Sequence, residues 1–147
     1  MGTKHKGTPR ERAALDAFIK LQRAAESVTD RTSAVIRESG LTYSQFSVVE
    51  ALYHLGRLTQ KELAGKILRS AGNMTMVIDN LEKNGLARRE RCENDRRVVY
   101  VSLEARGREL VRRIFPEHVK EIVTQMNALT ATELRELGRL CKKLGVN

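Results

Sequence analysis

The 147 residues suffice for one domain, or one domain with helical extensions; with 41% hydrophobic residues, 4% aromatics and no Trp, a core of Leu, Ile, Val, Ala and Met is expected. No apolar run approaches the roughly 20 residues of a membrane span, and the basic, polar stretch 1–12 lacks the apolar centre of a signal peptide, so a cytoplasmic chain with no membrane partner is expected. The net charge of +9 predicts an anionic partner, most often nucleic acid, and the run RRERCENDRR at 88–97 concentrates five arginines against three acids.

Residues 1–8 carry Gly and Lys without periodicity and are expected to form a disordered basic arm. Pro9 suits the first turn of a helix. From there to about Glu38 the chain has no Gly or further Pro, and Leu15, Phe18, Ile19, Val28, Val35 and Ile36 recur at three- and four-residue steps. One long helix is predicted, ending at Ser39-Gly40. Thr42 and Gln45 match a capping box, in which the two side chains satisfy orphan N–H groups at a helix start. The helix they open carries Phe46, Val49, Leu52 and Leu55, and Gly56 closes it.

Leu58-Thr59 reads as a short strand, and Thr59 with Glu62 makes a second capping box for a helix from Gln60 to about Ile67. A turn at Leu68-Arg69 leads to Ser70, which can cap the next helix. That helix, to about Asn84, places Met74, Val77, Ile78 and Leu81 on one face; Ala71, Gly72, Asn73, Thr75, Met76 and Asp79 lie on the other. Two short helices, a small turn, and small or polar residues at the start of the second make a helix-turn-helix pattern. Bulky residues there would hold the helix away from base edges. Asn can read adenine, and methyl or thioether groups can touch a thymine methyl.

After Gly85, residues 86 to about 92 and 97–103 read as strands joined by the turn 93–96. An Arg at the tip of such a ribbon can enter a narrow minor groove, where the negative potential is enhanced. Asp95 and Arg97 are two apart, so in an extended turn they share a side, and an ion pair would hold the Arg in a docking pose. A bare surface salt bridge, worth little, is the plainer alternative.

Residues 104 to about 127 are predicted helical, with Pro116 inside the pattern expected to bend it. Thr130 and Glu133 form a third capping box. The helix from about Ala131 to Leu144 bears a heptad-like stripe of Leu134, Leu137, Leu140, Cys141 and Leu144. The expected organisation is mainly α with a small β-wing: a winged helix-turn-helix over 41–103, and a helical dimerisation region from 9–40 and 104–147. A homodimer would hide the leucine stripe.

No Gly-rich phosphate loop, nucleophile motif, paired carboxylates or metal cluster is present, so no enzyme and no cofactor are expected. Cys92 and Cys141 are too few and too far apart for a disulfide framework or a zinc site, and the three histidines lack metal-ligand spacing. Cys92 lies among arginines that can lower a thiol pKa, so a redox sensor acting through it is one alternative; an ordinary strand cysteine is the simpler reading. A winged helix used to bind protein or RNA is another alternative.

LTYSQFSVVEAL at 41–52, LTQKELAGKI at 58–67, NMTMVIDNLEKNGLARR at 73–89 and DRRVVYVSLEARG at 95–107 together resemble the MarR family of transcriptional regulators, and the resemblance runs from about Pro9 to Leu144. IFPEH at 114–118 and ALYHLG at 51–56 are similar to the branch that responds to hydroquinones and quinones. The resemblance implies a homodimer that represses from an inverted repeat on double-stranded DNA and is released by a small phenolic, quinone-like or other lipophilic effector. It puts base and backbone contacts at Ser70, Ala71, Asn73, Thr75 and Met76, and at Lys61 on the preceding helix. It puts Arg97 in the minor groove, oriented by Asp95, with Arg96 near phosphate.

An effector pocket is expected among Phe18, Tyr43, Phe46, Tyr53, His54, Phe115 and His118, near the junction of the winged domain with the dimer helices; individually, these also read as core aromatics and satisfied histidines. The chain departs from the family at Met76, where Arg is common, and at Glu104 after Leu103, where Thr is usual; it also lacks the first-helix Cys of the peroxide-sensing members, so their thiol mechanism is not implied. With no guanine-reading Arg at 76, affinity should rest more on apolar contact, on the wing and on DNA shape.

Overall fold

The structure is a computed structural model that describes residues 4–67 and 71–145, with the backbone alone for Ala71 and Gly72. In chain order the elements are α1 (Pro9–Arg31), α2 (Ala34–Glu38), α3 (Tyr43–Leu55), β1 (Leu58–Thr59), α4 (Gln60–Ile67), α5 (Ala71–Lys83), β2 (Ala87–Arg91), β3 (Val99–Leu103), α6 (Ala105–Met126) and α7 (Ala131–Gly145). The fold is mostly helical with a small antiparallel sheet. The chain divides into two compact units, one comprising residues to Ser33 and from Val119 onward, the other Ala34–His118.

The Ala34–His118 unit holds the core. Ile36, Val48, Val49, Leu52, Leu63, Met74, Ile78, Leu81, Val101 and Val111 are buried almost completely. Each of α3, α4 and α5 contributes its apolar stripe, and the sheet contributes one face. The strands pair in the order β1-β3-β2. Ala87 opposes Leu103 and Arg89 opposes Val101, while Leu58 pairs with Val101 from the other side. Because side chains alternate, Ala87, Arg89, Val101 and Leu103 share the inner face, and Arg88 and Glu90 turn out.

Helix ends follow from local chemistry. At Thr42, Thr59 and Thr130 the backbone N–H is accepted by the side chain three residues on, at 2.9, 2.7 and 2.7 Å, and each Thr hydroxyl accepts in return. A fourth box, Thr8 with Glu11, opens α1; its Thr-Pro-x-Glu spacing is a start signal legible in the sequence. At the end of α5, Gly85 adopts φ of 67°. Leu86 N–H then bonds the Leu81 carbonyl at 2.9 Å and Gly85 N–H the Glu82 carbonyl at 3.0 Å. Leu81 and Leu86, the two residues joined by this Schellman pattern, both belong to the buried core.

The long first helix expected over 9–38 is broken. α1 ends at Arg31 and α2 begins at Ala34. Thr32 Oγ1 donates to the Val28 carbonyl at 2.8 Å, and the Ser33 hydroxyl donates to the Thr29 carbonyl. Side-chain hydroxyls that bond preceding carbonyls compete with the helix ladder, and both residues are buried. Apolar periodicity continues through the break and conceals it. The second strand also starts later than expected, at Val99 rather than Arg97. The N–H of Arg97 is engaged by Asp95 Oδ1 at 3.0 Å and is lost to the ladder. Pro116 lies within α6, which continues unbroken to Met126.

In the other unit, α1 and α7 contain no buried residue among those described. The stripe on α7 remains open, with Leu140 43% and Leu144 73% exposed, and on α1 Phe18 is 55% exposed.

Candidate nucleic-acid interface

α5 presents two unlike faces. Met74, Ile78 and Leu81 anchor one in the core, so Asn73, Thr75, Met76 and Asp79 are exposed on the other. Met76 is 61% exposed, which keeps a polarisable apolar side chain in water beside polar neighbours. Lys61, in the first turn of α4, is exposed and has no carboxylate partner among the described residues. Of the expected contact residues, Ser70 lies outside the described residues and Ala71 is described by its backbone alone, as the first residue of α5.

The wing tip is built by a local clamp. Arg97 Nε donates to Asp95 Oδ1 at 3.1 Å and Nη2 to Oδ2 at 3.2 Å. The paired bonds match the planar fork of a guanidinium to a carboxylate. The Arg97 side chain is nonetheless 91% exposed. It is held from behind, by Asp95, while its outer face meets solvent. The bonds from the Arg97 side chain and backbone hold the Asp95 carboxyl below the usual carboxylate range.

Charge along the wing is sorted. Arg88 pairs with Glu90 at 2.6 Å and Glu104 at 3.6 Å. Arg89, half-buried, pairs with Asp79 at 2.7 Å and with Glu82. Arg91 and Arg96 are exposed with no carboxylate partner among the described residues. The inner arginines of the basic run therefore brace the wing, and the outer ones leave uncompensated positive charge near its tip, the electrostatic footprint of an anion-binding surface. At the base of the wing the Arg57 guanidinium stacks 4.6 Å over the Tyr100 ring.

Sequence reading did not single out two bracing residues. Gln60 Nε2 donates to Thr75 Oγ1 at 2.6 Å, and Arg89 Nη2 reaches the Thr75 carbonyl at 3.3 Å. The expected effector residues fall into separate settings. Tyr43 and His54 line a cavity of about 510 Å³ with Ser47, Glu50, Lys66 and Ile67. Phe46 and His118 are buried and meet edge to face at 5.1 Å. Tyr53 and Phe115 pack on His54 at 5.1 and 4.9 Å. Phe18 belongs to the other compact unit. Cys92 is a half-buried free thiol beside Arg91.

Residues 41–99 match the MarR family. The HTH-type transcriptional regulator MhqR of Bacillus subtilis is 34% identical over 134 residues, which cover 91% of this chain and 92% of the relative. Sco3205 of Streptomyces coelicolor, a MarR family transcriptional regulator solved in complex with DNA, has the same fold, with a TM-score of 0.84 at 23% identity over 96% of this chain and 89% of that one. BpsR of Bordetella bronchiseptica, whose DNA binding is regulated by 6-hydroxynicotinic acid, aligns with a TM-score of 0.76 at 26% identity over 84% of this chain and 89% of its own. An exposed face on the second helix of a helix-turn-helix, a basic wing beside it and similarity to MhqR over nine-tenths of the chain together establish that the protein belongs to the MarR family, whose members are DNA-binding transcriptional regulators and not enzymes.

Proposed function

We propose that the protein is a homodimeric repressor of an inverted-repeat operator, acting in the cytoplasm. Each subunit places α5 in a major groove and Arg97 in the adjoining minor groove. Lys61, Arg91 and Arg96 neutralise phosphates. The observation that carries this reading is the wing clamp: an Arg held by both carboxylate oxygens of Asp95, yet 91% exposed. The open leucine stripe of α7 supports dimerisation, because exposed apolar helix faces are commonly covered by a partner. Two recognition helices then need a separation of about 34–36 Å to reach successive major grooves.

Asp95→Asn tests the clamp by the sign of its effect. The substitution removes a negative charge, so electrostatics alone predict tighter binding to any duplex. Loss of the clamp frees Arg97 and predicts weaker binding to the operator. Fluorescence anisotropy with operator and scrambled duplexes separates the two. Weaker operator binding with unchanged or tighter scrambled binding is expected, and tighter binding to both would refute the wing assignment.

The effector in this reading is a small phenolic or quinone-like compound. The cavity lined by Tyr43, His54 and Lys66 supports it, offering a cation and hydrogen-bonding groups beside Ala51, Leu55 and Ile67. Release by 100-fold requires about 2.7 kcal/mol of differential affinity between the free and DNA-bound forms. Calorimetric titration with phenols and quinones should show binding that lowers operator affinity in parallel. Titrations without heat and without loss of operator affinity would refute this part.

A further inference from the structure

Thr75 is one of the points at which the recognition helix is tied to the rest of its unit. Contacts from α4 and β2 reach it. From α4, Gln60 Nε2 donates to Thr75 Oγ1 at 2.6 Å, across fifteen residues of sequence. From β2, Arg89 Nη2 donates to the Thr75 carbonyl at 3.3 Å. Arg89 also pairs with Asp79 at 2.7 Å and with Glu82, and its own N–H is accepted by Glu82 Oε1 at 2.8 Å. Residues 75, 79 and 82 follow the three- and four-residue steps of one helix stripe, so that stripe is turned toward β2. The Arg89 contacts therefore set how the helix body rests on the wing.

The Gln60 contact acts on a side chain instead. A Thr can offer a hydroxyl, which donates and accepts, or a methyl, which makes only apolar contact. In a major groove these read differently: the hydroxyl serves several bases, whereas the methyl favours thymine. With its hydroxyl directed toward α4, Thr75 turns its methyl to a different side of the helix, and Met76 is the next exposed residue.

We infer that Gln60 is a positioning residue for operator selectivity: it holds the Thr75 hydroxyl so that α5 offers the DNA a Thr75 methyl beside Met76. This rests on the reading that α5 enters the major groove. Gln60 carries no charge, so its removal leaves counterion release unchanged. The effect falls on base preference and not on general affinity.

The test is selection of bound half-sites from a randomised duplex library, for the full chain and three single variants, with scrambled-duplex affinity and urea midpoint measured alongside. Gln60→Ala should lose about tenfold of the discrimination at one base pair, with scrambled-duplex affinity and its salt slope unchanged. Gln60→Met, similar in length but without the amide donor, should do the same and serves if the Ala variant folds poorly. Thr75→Val removes the hydroxyl that Gln60 holds, and so takes the same contact away from its other side. Adding Gln60→Ala to Thr75→Val should then change nothing more, because the pair acts as one unit. The inference is overturned if both Gln60 variants keep the parent profile, or if they lose operator and scrambled affinity together. A parent chain that shows no base preference would overturn the major-groove reading itself, a distinguishable result.

Discussion

Replacing Gly107 with Ala sets two effects of known size against each other. Gly107 is buried in the first turn of α6. A Cβ added there would lie 2.2 Å from the Leu86 carbonyl oxygen and 3.1 Å from Leu103 Cδ2. Carbon and oxygen normally approach no closer than about 3.3 Å, so a gap of about 1 Å must open. Backbone stands on both sides of the clash, so no flexible side-chain end can swing away. The same carbonyl accepts the Glu104 N–H at 3.0 Å, a bond that ties the start of α6 to the entry of the wing. Overpacking of this kind costs about 1–3 kcal/mol, and weakening the bond adds up to about 1 kcal/mol. Helix propensity opposes this, because Ala is favoured over Gly by about 1 kcal/mol.

The steric term wins, for a net loss of about 2 kcal/mol. Gly65, inside α4, is the matched control, since a Cβ there meets nothing within 4 Å. Gly65→Ala should gain up to about 1 kcal/mol from propensity alone. Urea unfolding followed by circular dichroism at one protein concentration reads both variants as midpoint shifts of opposite sign. A stabilised Gly107→Ala, or the same shift for both variants, would refute the packing account.

Arg97→Ala should weaken operator binding and make the log–log salt dependence shallower by about 2 for a dimer, one unit per subunit; an unchanged slope in anisotropy titrations would count against a wing contact. Arg97→Lys should remain weak despite its charge, because an ammonium cannot reproduce the two-bond clamp. Glu11, Glu62 and Glu133 have lowered pKa values, first through the N–H groups of Thr8, Thr59 and Thr130 and then through their hydroxyls. Their contribution to stability is complete above the unfolded value of about 4.3 and is lost as pH falls through the lower folded values. The urea midpoint should therefore drop from about pH 5 toward pH 3, and Glu62→Gln should flatten part of that fall. Leu140→Glu puts a charge in the open stripe of α7 and should convert a dimer to a monomer by light scattering, with loss of operator affinity; a persisting dimer would place the interface elsewhere.

Much of the winged unit was legible because its signals are short-range. The capping boxes need only residues three apart, so their Thr and Gln or Glu spacing marks helix starts directly. The Asp95–Arg97 clamp needs residues two apart in a turn. Gly85 marks the end of α5 because a left-handed residue is required there. Alternation in 99–103 shows which wing residues turn inward. The break at 32–33 was hidden because apolar spacing carries across it, and local hydroxyl bonds outweigh that pattern.

By itself, then, the sequence determined the order and boundaries of most elements, the helix-turn-helix with its wing and the clamp at the wing tip. Each depends on the geometry of a few consecutive residues. Only the tertiary structure decided which of the arginines at 88–97 brace the wing and which stay open. Folding alone brings Gln60 to Thr75 and Arg89 to Asp79 and Glu82. The same holds for the aromatics proposed around an effector: packing puts Phe46 and His118 in the core and leaves Tyr43 and His54 on a cavity wall. Such partners are chosen by which faces meet when the apolar stripes are buried, and no spacing along the chain encodes that meeting directly.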